Sequence, residues 1–150
     1  MIGDPPAVGT VIRYAYLWHW QHAAGRDEGE KDRPCAVVAS VVQQNGRTMV
    51  RVFPITTKQP APQDHAVELT PEARARLQLE GGRSWVVASE SNLFTWPGPD
   101  LRPVPARHDR TVIHGVLSAG TLRQLAAAFA ACHAAGAHDR ILRDETDHHG

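Results

Sequence analysis

The stretch DRPCAVVASVVQQNGRTMVRVFPIT, residues 32–56, decides the fold. Two valine-rich runs, residues 35–42 and 48–56, flank Asn45-Gly46, a dipeptide that favours a tight hairpin because both residues tolerate positive φ. The pattern predicts two antiparallel strands. Pro54 cannot donate a ladder hydrogen bond, so it marks the end of regular pairing or a sheet edge. Arg33-Pro34 precedes the first strand and places an arginine at the mouth of a buried strand.

The rest of the chain predicts more strands and two helices. Residues 10–18, TVIRYAYLW, alternate along a strand, and residues 19–32 are predicted as a polar loop. Further strands are predicted at residues 65–70, 83–91 and 111–117. Thr70 and Ser118 are predicted N-caps, the second of a helix with Leu122, Leu125 and Phe129 on one stripe. Residues 139–150 are polar and are predicted to fray. The fold class predicted is mainly β with helices, a small bent antiparallel sheet or barrel with a C-terminal helix.

Composition excludes several classes of protein. The 150 residues suit one domain, and the zero formal net charge excludes nucleic-acid binding by bulk electrostatics, so any such contact needs a local patch. The two cysteines, Cys35 and Cys132, have neither disulfide nor metal-site spacing. The N-terminus does not resemble a signal peptide, and no apolar run suits a membrane span. We therefore expect a cytoplasmic protein without a membrane partner.

Several segments in order resemble one protein family. GTVIRYAYLW (residues 9–18), a polar loop with Glu28, DRPCAVVAS (32–40) and VFPITTKQ (52–59) are similar to the MazF/PemK (Kid) toxins of toxin–antitoxin systems, with a weaker match through SWVVASESNLFTW (84–96). The toxin-like domain would span residues 9–136, between a loose N-terminus (1–8) and a polar tail (137–150). The resemblance implies an SH3-like, CcdB-type small β-barrel, a homodimer, and metal-independent cleavage of single-stranded RNA without a cofactor. It also implies a partner antitoxin with a disordered segment.

The resemblance also implies site residues. Arg33 matches the family's catalytic arginine, Thr56 its active-site hydroxyl and Glu28 the acidic residue of its loop. Two positions depart from the pattern: Asp27 stands where Kid-like members have histidine, and Ser89 or Glu90 stands near an aspartate. Glu90 is therefore a second candidate base. We expect RNA contacts from a basic and aromatic set consisting of Trp20, Lys31, Arg51, Thr57, Lys58 and Trp96.

The chemistry of RNA cleavage suits these residue types. RNA carries its own nucleophile, the 2′-hydroxyl, so cleavage needs a base, a clamp for the phosphorane charge and a proton for the leaving 5′-oxygen. A carboxylate can be the base. A guanidinium offers a planar fork to two phosphate oxygens. A hydroxyl can donate to a non-bridging oxygen.

Other interpretations remain open from the sequence. Arg33 could be a surface residue paired with Asp32 or Glu30, and Glu28 could belong to a solvated charge run. His22 could replace the missing family histidine, whereas the nine histidines include no recognised metal motif. The main alternative function is a non-catalytic SH3-like or CcdB-like module, such as a gyrase poison or an inactive homologue. A housekeeping module with no toxin role is a third.

Overall fold

A computed structural model describes residues 3–26, 29, 31–105 and 107–143 of the chain. In chain order its elements are β1 (Thr10–Tyr14), α1 (His19–Ala23), β2 (Arg33–Val42), β3 (Thr48–Thr56), a 3-10 turn (Pro62–Asp64), β4 (Ala66–Glu68), α2 (Pro71–Arg76), β5 (Trp85–Val87), β6 (Glu90–Trp96), β7 (Ile113–Val116), α3 (Ala119–Ala134) and β8 (Asp139–Arg143). The predicted mainly antiparallel sheet with a C-terminal helix is confirmed. The one parallel pair among these described strands joins β6 to β8.

The β2–β3 hairpin forms as predicted. Cα partners run from Cys35 opposite Pro54 to Val42 opposite Thr48, with a register shift between Val37 and Ala39. In the turn, the Gln43 N–H donates to the Arg47 carbonyl at 2.7 Å. Gly46 has φ 83°, whereas Asn45 does not have positive φ. The turn therefore uses positive φ at Gly46 alone, whereas a type I′ turn has positive φ at both central residues.

Strand β3 changes partner along its second edge. Residues 48–52 pair with β6, and Ile55 and Thr56 pair with β5. Pro54, which cannot donate to a ladder, lies where the partner changes, so it marks the end of one pairing rather than a sheet edge. The sequence predicted a single strand over residues 83–91, but Ala88 and Ser89 interrupt it and leave two strands, β5 and β6. The sheet order β4-β5-β3-β2-β1-β7 is therefore branched at β3.

Two further predictions about local structure are wrong. The segment after Trp18 was predicted as a loop, but His19–Ala23 form α1, where Gln21 is buried and its side-chain oxygen accepts the Trp18 N–H at 3.0 Å. The segment from residue 139 was predicted to fray, but residues 139–143 form β8. Ile141 is buried there, and Arg143 donates to the Asp100 carboxylate at 2.9 Å. The predictions for residues 144–150, including His148 and His149, lie outside the described residues.

The core lies on both faces of the sheet. One cluster lies between the sheet and helices α2 and α3; Leu125 is buried there, and Leu122 and Phe129 pack against it, so the predicted helical stripe is confirmed. The N-caps Thr70 and Ser118 are confirmed, since each side chain accepts a backbone N–H at 3.1 Å. The second cluster includes Ile12, Tyr14, Val50 and Phe94. In the described part of the chain, no helix has the length and apolar character needed to cross a bilayer.

Candidate functional site

A cleft of about 490 Å³ lies where three strands begin or end. Arg33 is the first residue of β2, Thr56 the last of β3 and Glu90 the first of β6. All three line the cleft. Since Cys35 lies opposite Pro54, extending that antiparallel register by two residues brings Arg33 opposite Thr56. The hairpin thus brings Arg33 and Thr56 to the wall of one cleft, although the two residues are far apart in sequence.

Arg33 is half-buried, and the neighbouring Asp32 does not form an ion pair with it. Its guanidinium carbon lies 4.9 Å from the centroid of the Trp18 ring, a cation–π contact that orients the guanidinium. Asp32 instead pairs with Arg13 at 2.7 Å, and within the described ranges Arg33 has no ion pair. Its Nε is buried without a hydrogen-bond partner. Burial lowers the pKa of Arg33 from its usual value. Since no described carboxylate forms an ion pair with Arg33, its guanidinium can donate to an anionic ligand.

Glu90 is a mostly buried carboxylate in the same cleft. Its Oε1 accepts the Tyr16 hydroxyl at 3.1 Å and the backbone N–H of His19 at 2.9 Å. Burial raises the pKa of Glu90 above its ordinary value, although these two hydrogen bonds oppose the shift. A carboxylate with a raised pKa is a better proton acceptor near neutral pH than an exposed one. The departure noted in the sequence therefore puts an acidic group in the cleft.

Thr56 can act as a donor. The backbone N–H of Lys58 donates to its Oγ1 at 3.1 Å, so a lone pair of that oxygen is used and the hydroxyl hydrogen remains available. Four of the six predicted RNA-contact residues line the same cleft, and Trp20 at its rim is 59% exposed. These four are Trp20, Lys31, Thr57 and Lys58.

Two of the other predicted site residues, Arg51 and Trp96, lie outside this cleft. Arg51 lines a separate apolar groove under α3 and donates to the Ser91 hydroxyl at 2.8 Å. Trp96 is 8% exposed, and its indole N–H donates to the Gly3 carbonyl. His22 is exposed on α1 and does not line the cleft. Glu28 and its neighbour Asp27 lie outside the described residues.

Sequence reasoning did not include Tyr16 and Trp18 in the site. Both residues line the cleft. The sequence predicts both residues on one face of a strand over residues 10–18. In the structure that strand, β1, ends at Tyr14, and residues 15–18 lead into α1. The signal for this change was weak because apolar residues occupy both faces of residues 11–18.

Comparisons with known proteins identify no family. No protein-family model matches the chain, and no curated protein is significantly similar to it. Among the residues that the structure describes, no three His, Cys, Asp or Glu side chains are grouped so as to hold a metal ion. Metal independence remains a prediction.

Proposed function

We propose that this protein is an endoribonuclease that cleaves single-stranded RNA without a metal ion. The observation that carries the proposal is the meeting of Arg33, Thr56 and Glu90 in one cleft at the ends of three strands. Arg33, which has no ion pair among the described residues, can serve as the clamp, Thr56 as a donor, and Glu90 with its raised pKa as the base for metal-free cleavage of RNA, while water supplies the proton for the leaving oxygen.

The proposed reaction uses the RNA's own 2′-hydroxyl. Glu90 takes its proton, the 2′-oxygen attacks the adjacent phosphorus, and the bond from phosphorus to the 5′-oxygen breaks. Arg33 clamps two phosphate oxygens and Thr56 donates to a non-bridging oxygen as charge develops. The 5′-oxygen takes a proton from water, and Glu90 returns its proton to solvent. The products are a 2′,3′-cyclic phosphate and a 5′-hydroxyl.

Glu90 replaces Glu28 as the preferred base. Glu90 lines the cleft, accepts a hydrogen bond from Tyr16, and has a pKa raised by burial. Glu28, which the family resemblance favours, lies outside the described residues and keeps the role of second candidate.

A local charge difference supports an RNA substrate. The chain as a whole is neutral, but the described residues that line the cleft include three cationic side chains, Lys31, Arg33 and Lys58, and two carboxylates, Asp64 and Glu90. Glu90 is held by protein donors, and the Ala61 N–H donates to Asp64 at 2.8 Å. Trp20 offers an exposed ring on which an unpaired base can stack.

The wider biological role follows from the family resemblance. We propose that the sheet corresponds to an SH3-like barrel, that the protein is a cytoplasmic homodimer, and that it is a toxin whose antitoxin inserts a disordered segment into this cleft. Such a segment folds on binding and can cover a large surface. Competition between RNA and that partner is the expected behaviour, and simultaneous binding would contradict it.

The test is cleavage of a defined single-stranded RNA by the purified protein, with and without a chelator. We expect cleavage in both conditions, and mapped ends that carry a cyclic phosphate and a 5′-hydroxyl. Loss of cleavage on chelation, or 5′-phosphate products, would contradict the mechanism. RNA binding without cleavage would favour the alternative, a non-catalytic binding module.

A further inference from the structure

Tyr16 is the side chain that holds the carboxylate of Glu90. It is 1% exposed, lies between β1 and α1, and its hydroxyl donates to Glu90 Oε1 at 3.1 Å. Burial, and next the charge of Glu90, raise the pKa of Tyr16 well above its ordinary value. The phenol therefore remains protonated and acts as the donor in this hydrogen bond.

The hydrogen bonds make the two oxygens of Glu90 inequivalent. The Tyr16 hydroxyl and the His19 backbone N–H both end on Oε1, and together they use its two lone pairs. Among the described residues no donor reaches Oε2. The ring of Tyr16 also packs edge-on against Trp18 at 5.2 Å, and Trp18 in turn lies under the Arg33 guanidinium. One aromatic pair thus fixes the orientation of both the carboxylate and the guanidinium.

We propose that Tyr16 is the positioning residue of the site: by holding Oε1 it leaves Oε2 as the oxygen that receives the 2′-hydroxyl proton. This rests on the proposed function. The role of Tyr16 itself is to orient Glu90, since its hydroxyl does not contact the reacting atoms. The sequence pattern placed Tyr16 on a strand face, so this role emerges only from the contact between residues 74 positions apart.

Other charged groups also shift the pKa of Glu90. From α1, His19 favours the ionised carboxylate, and from β8, Asp139 opposes it. His19 and Asp139 approach each other at 3.8 Å. The cations Lys31, Arg33 and Lys58 also line the cleft. Removing the Tyr16 hydroxyl leaves all of these in place, so a change in Glu90 can be assigned to the lost hydrogen bond.

The test compares Tyr16→Phe with wild-type protein in two measurements. Carbon-13 NMR of labelled glutamate, with the Glu90 signal assigned from Glu90→Gln, gives the titration of Glu90 without RNA. We expect the midpoint to rise by roughly half a pH unit or more, since a donor to the ionised form is lost. The acid limb of the pH–rate profile for RNA cleavage should move up with it, and the plateau should fall because Oε2 is less well positioned.

Tyr14→Phe is the matched control. It removes another buried tyrosine hydroxyl, on a ring that stacks on Phe94 at 4.5 Å, and it should leave the titration of Glu90 unchanged. An equal Glu90 midpoint in wild type and Tyr16→Phe would overturn the inference. A shifted midpoint with an unmoved acid limb would overturn it too, because Glu90 would not be the base. If wild-type protein did not cleave RNA, the proposed function would fail, whereas the NMR titration would still decide whether Tyr16 holds Glu90.

Discussion

Replacing Arg33 by alanine should lower kcat/KM for RNA cleavage by about 1000-fold, which is roughly 4 kcal/mol in transition-state free energy. A preorganised donor contributes about 3 kcal/mol, and an arginine fork can supply two. The two donors belong to one group, so their contributions do not add in full. The structure supports a high value because Arg33 has no ion pair in the described part of the chain and is oriented by Trp18 at 4.9 Å. Arg33→Lys keeps the charge but loses the fork, so its recovery should be partial.

The assay is single-turnover cleavage of a labelled RNA, with thermal unfolding measured in parallel. Arg83→Ala is a matched control: Arg83 also lies 4.9 Å from a tryptophan ring, that of Trp85, but it pairs with Glu68 at 2.8 Å and does not line the cleft. It should change the rate by less than about twofold, since exposed ion pairs contribute little.

Stability separates a functional arginine from a structural one. Burial opposes the charge of Arg33, and the nearby Asp32 carboxylate, which pairs with Arg13, offsets this effect only in part. Arg33→Ala should therefore unfold at a temperature equal to or above that of the wild type, which is common for residues retained for function. A wild-type cleavage rate in Arg33→Ala, or a rate lost only in step with the fold, would refute the reasoning.

Substitutions at three further residues test the site and the fold. Thr56→Ala should slow cleavage by about 100-fold, one donor's contribution, and Thr56→Ser should restore most of it; equal rates for the two would refute the donor role. Glu90→Gln should abolish most cleavage while RNA binding survives. Because burial raises the pKa of Glu90, its ionised form destabilises the folded state once the pH exceeds that pKa, so the variant should melt higher than wild type at neutral pH and equally at acid pH. Melts from about pH 4 to pH 8 check this, and identical curves would contradict it. Arg143→Met should cost about 3 kcal/mol in denaturant unfolding. It removes the donor to the Ala15 carbonyl, to Asn92 Oδ1 and to the Asp100 carboxylate, and it leaves Asp100 with the longer ion pair to Arg102 at 3.9 Å. Unchanged stability would count against a structural role for β8.

The hairpin and the helix caps were predictable because their signals are local. Asn45-Gly46 between two valine-rich runs specifies the β2–β3 pairing, and Thr70 and Ser118 cap helices with their own side chains. The pairing in turn brings Arg33 opposite Thr56, so these two predicted site residues meet for a reason that the sequence contains.

The missed features depend on distant contacts. Strand β8 reads as polar in sequence, and it forms because it adds to the edge of β6 and buries Ile141 and Arg143 against it. Residues 19–23 form α1, and Gln21 of this helix is buried. Arg51 was a reasonable cation for RNA, but its side chain turns to Ser91 and His138, which no local pattern indicates.

The position of the three candidate catalytic residues at strand termini has a consequence for how the protein can change. Arg33, Thr56 and Glu90 are held by backbone pairing inside the sheet, whereas part of the cleft wall comes from the connection that contains residues 57–64. Insertions and substitutions are tolerated best in such connections. Exchange of this connection would therefore redirect which ligand the cleft accepts while the three reactive side chains stay in place, so that selectivity and chemistry are free to diverge separately.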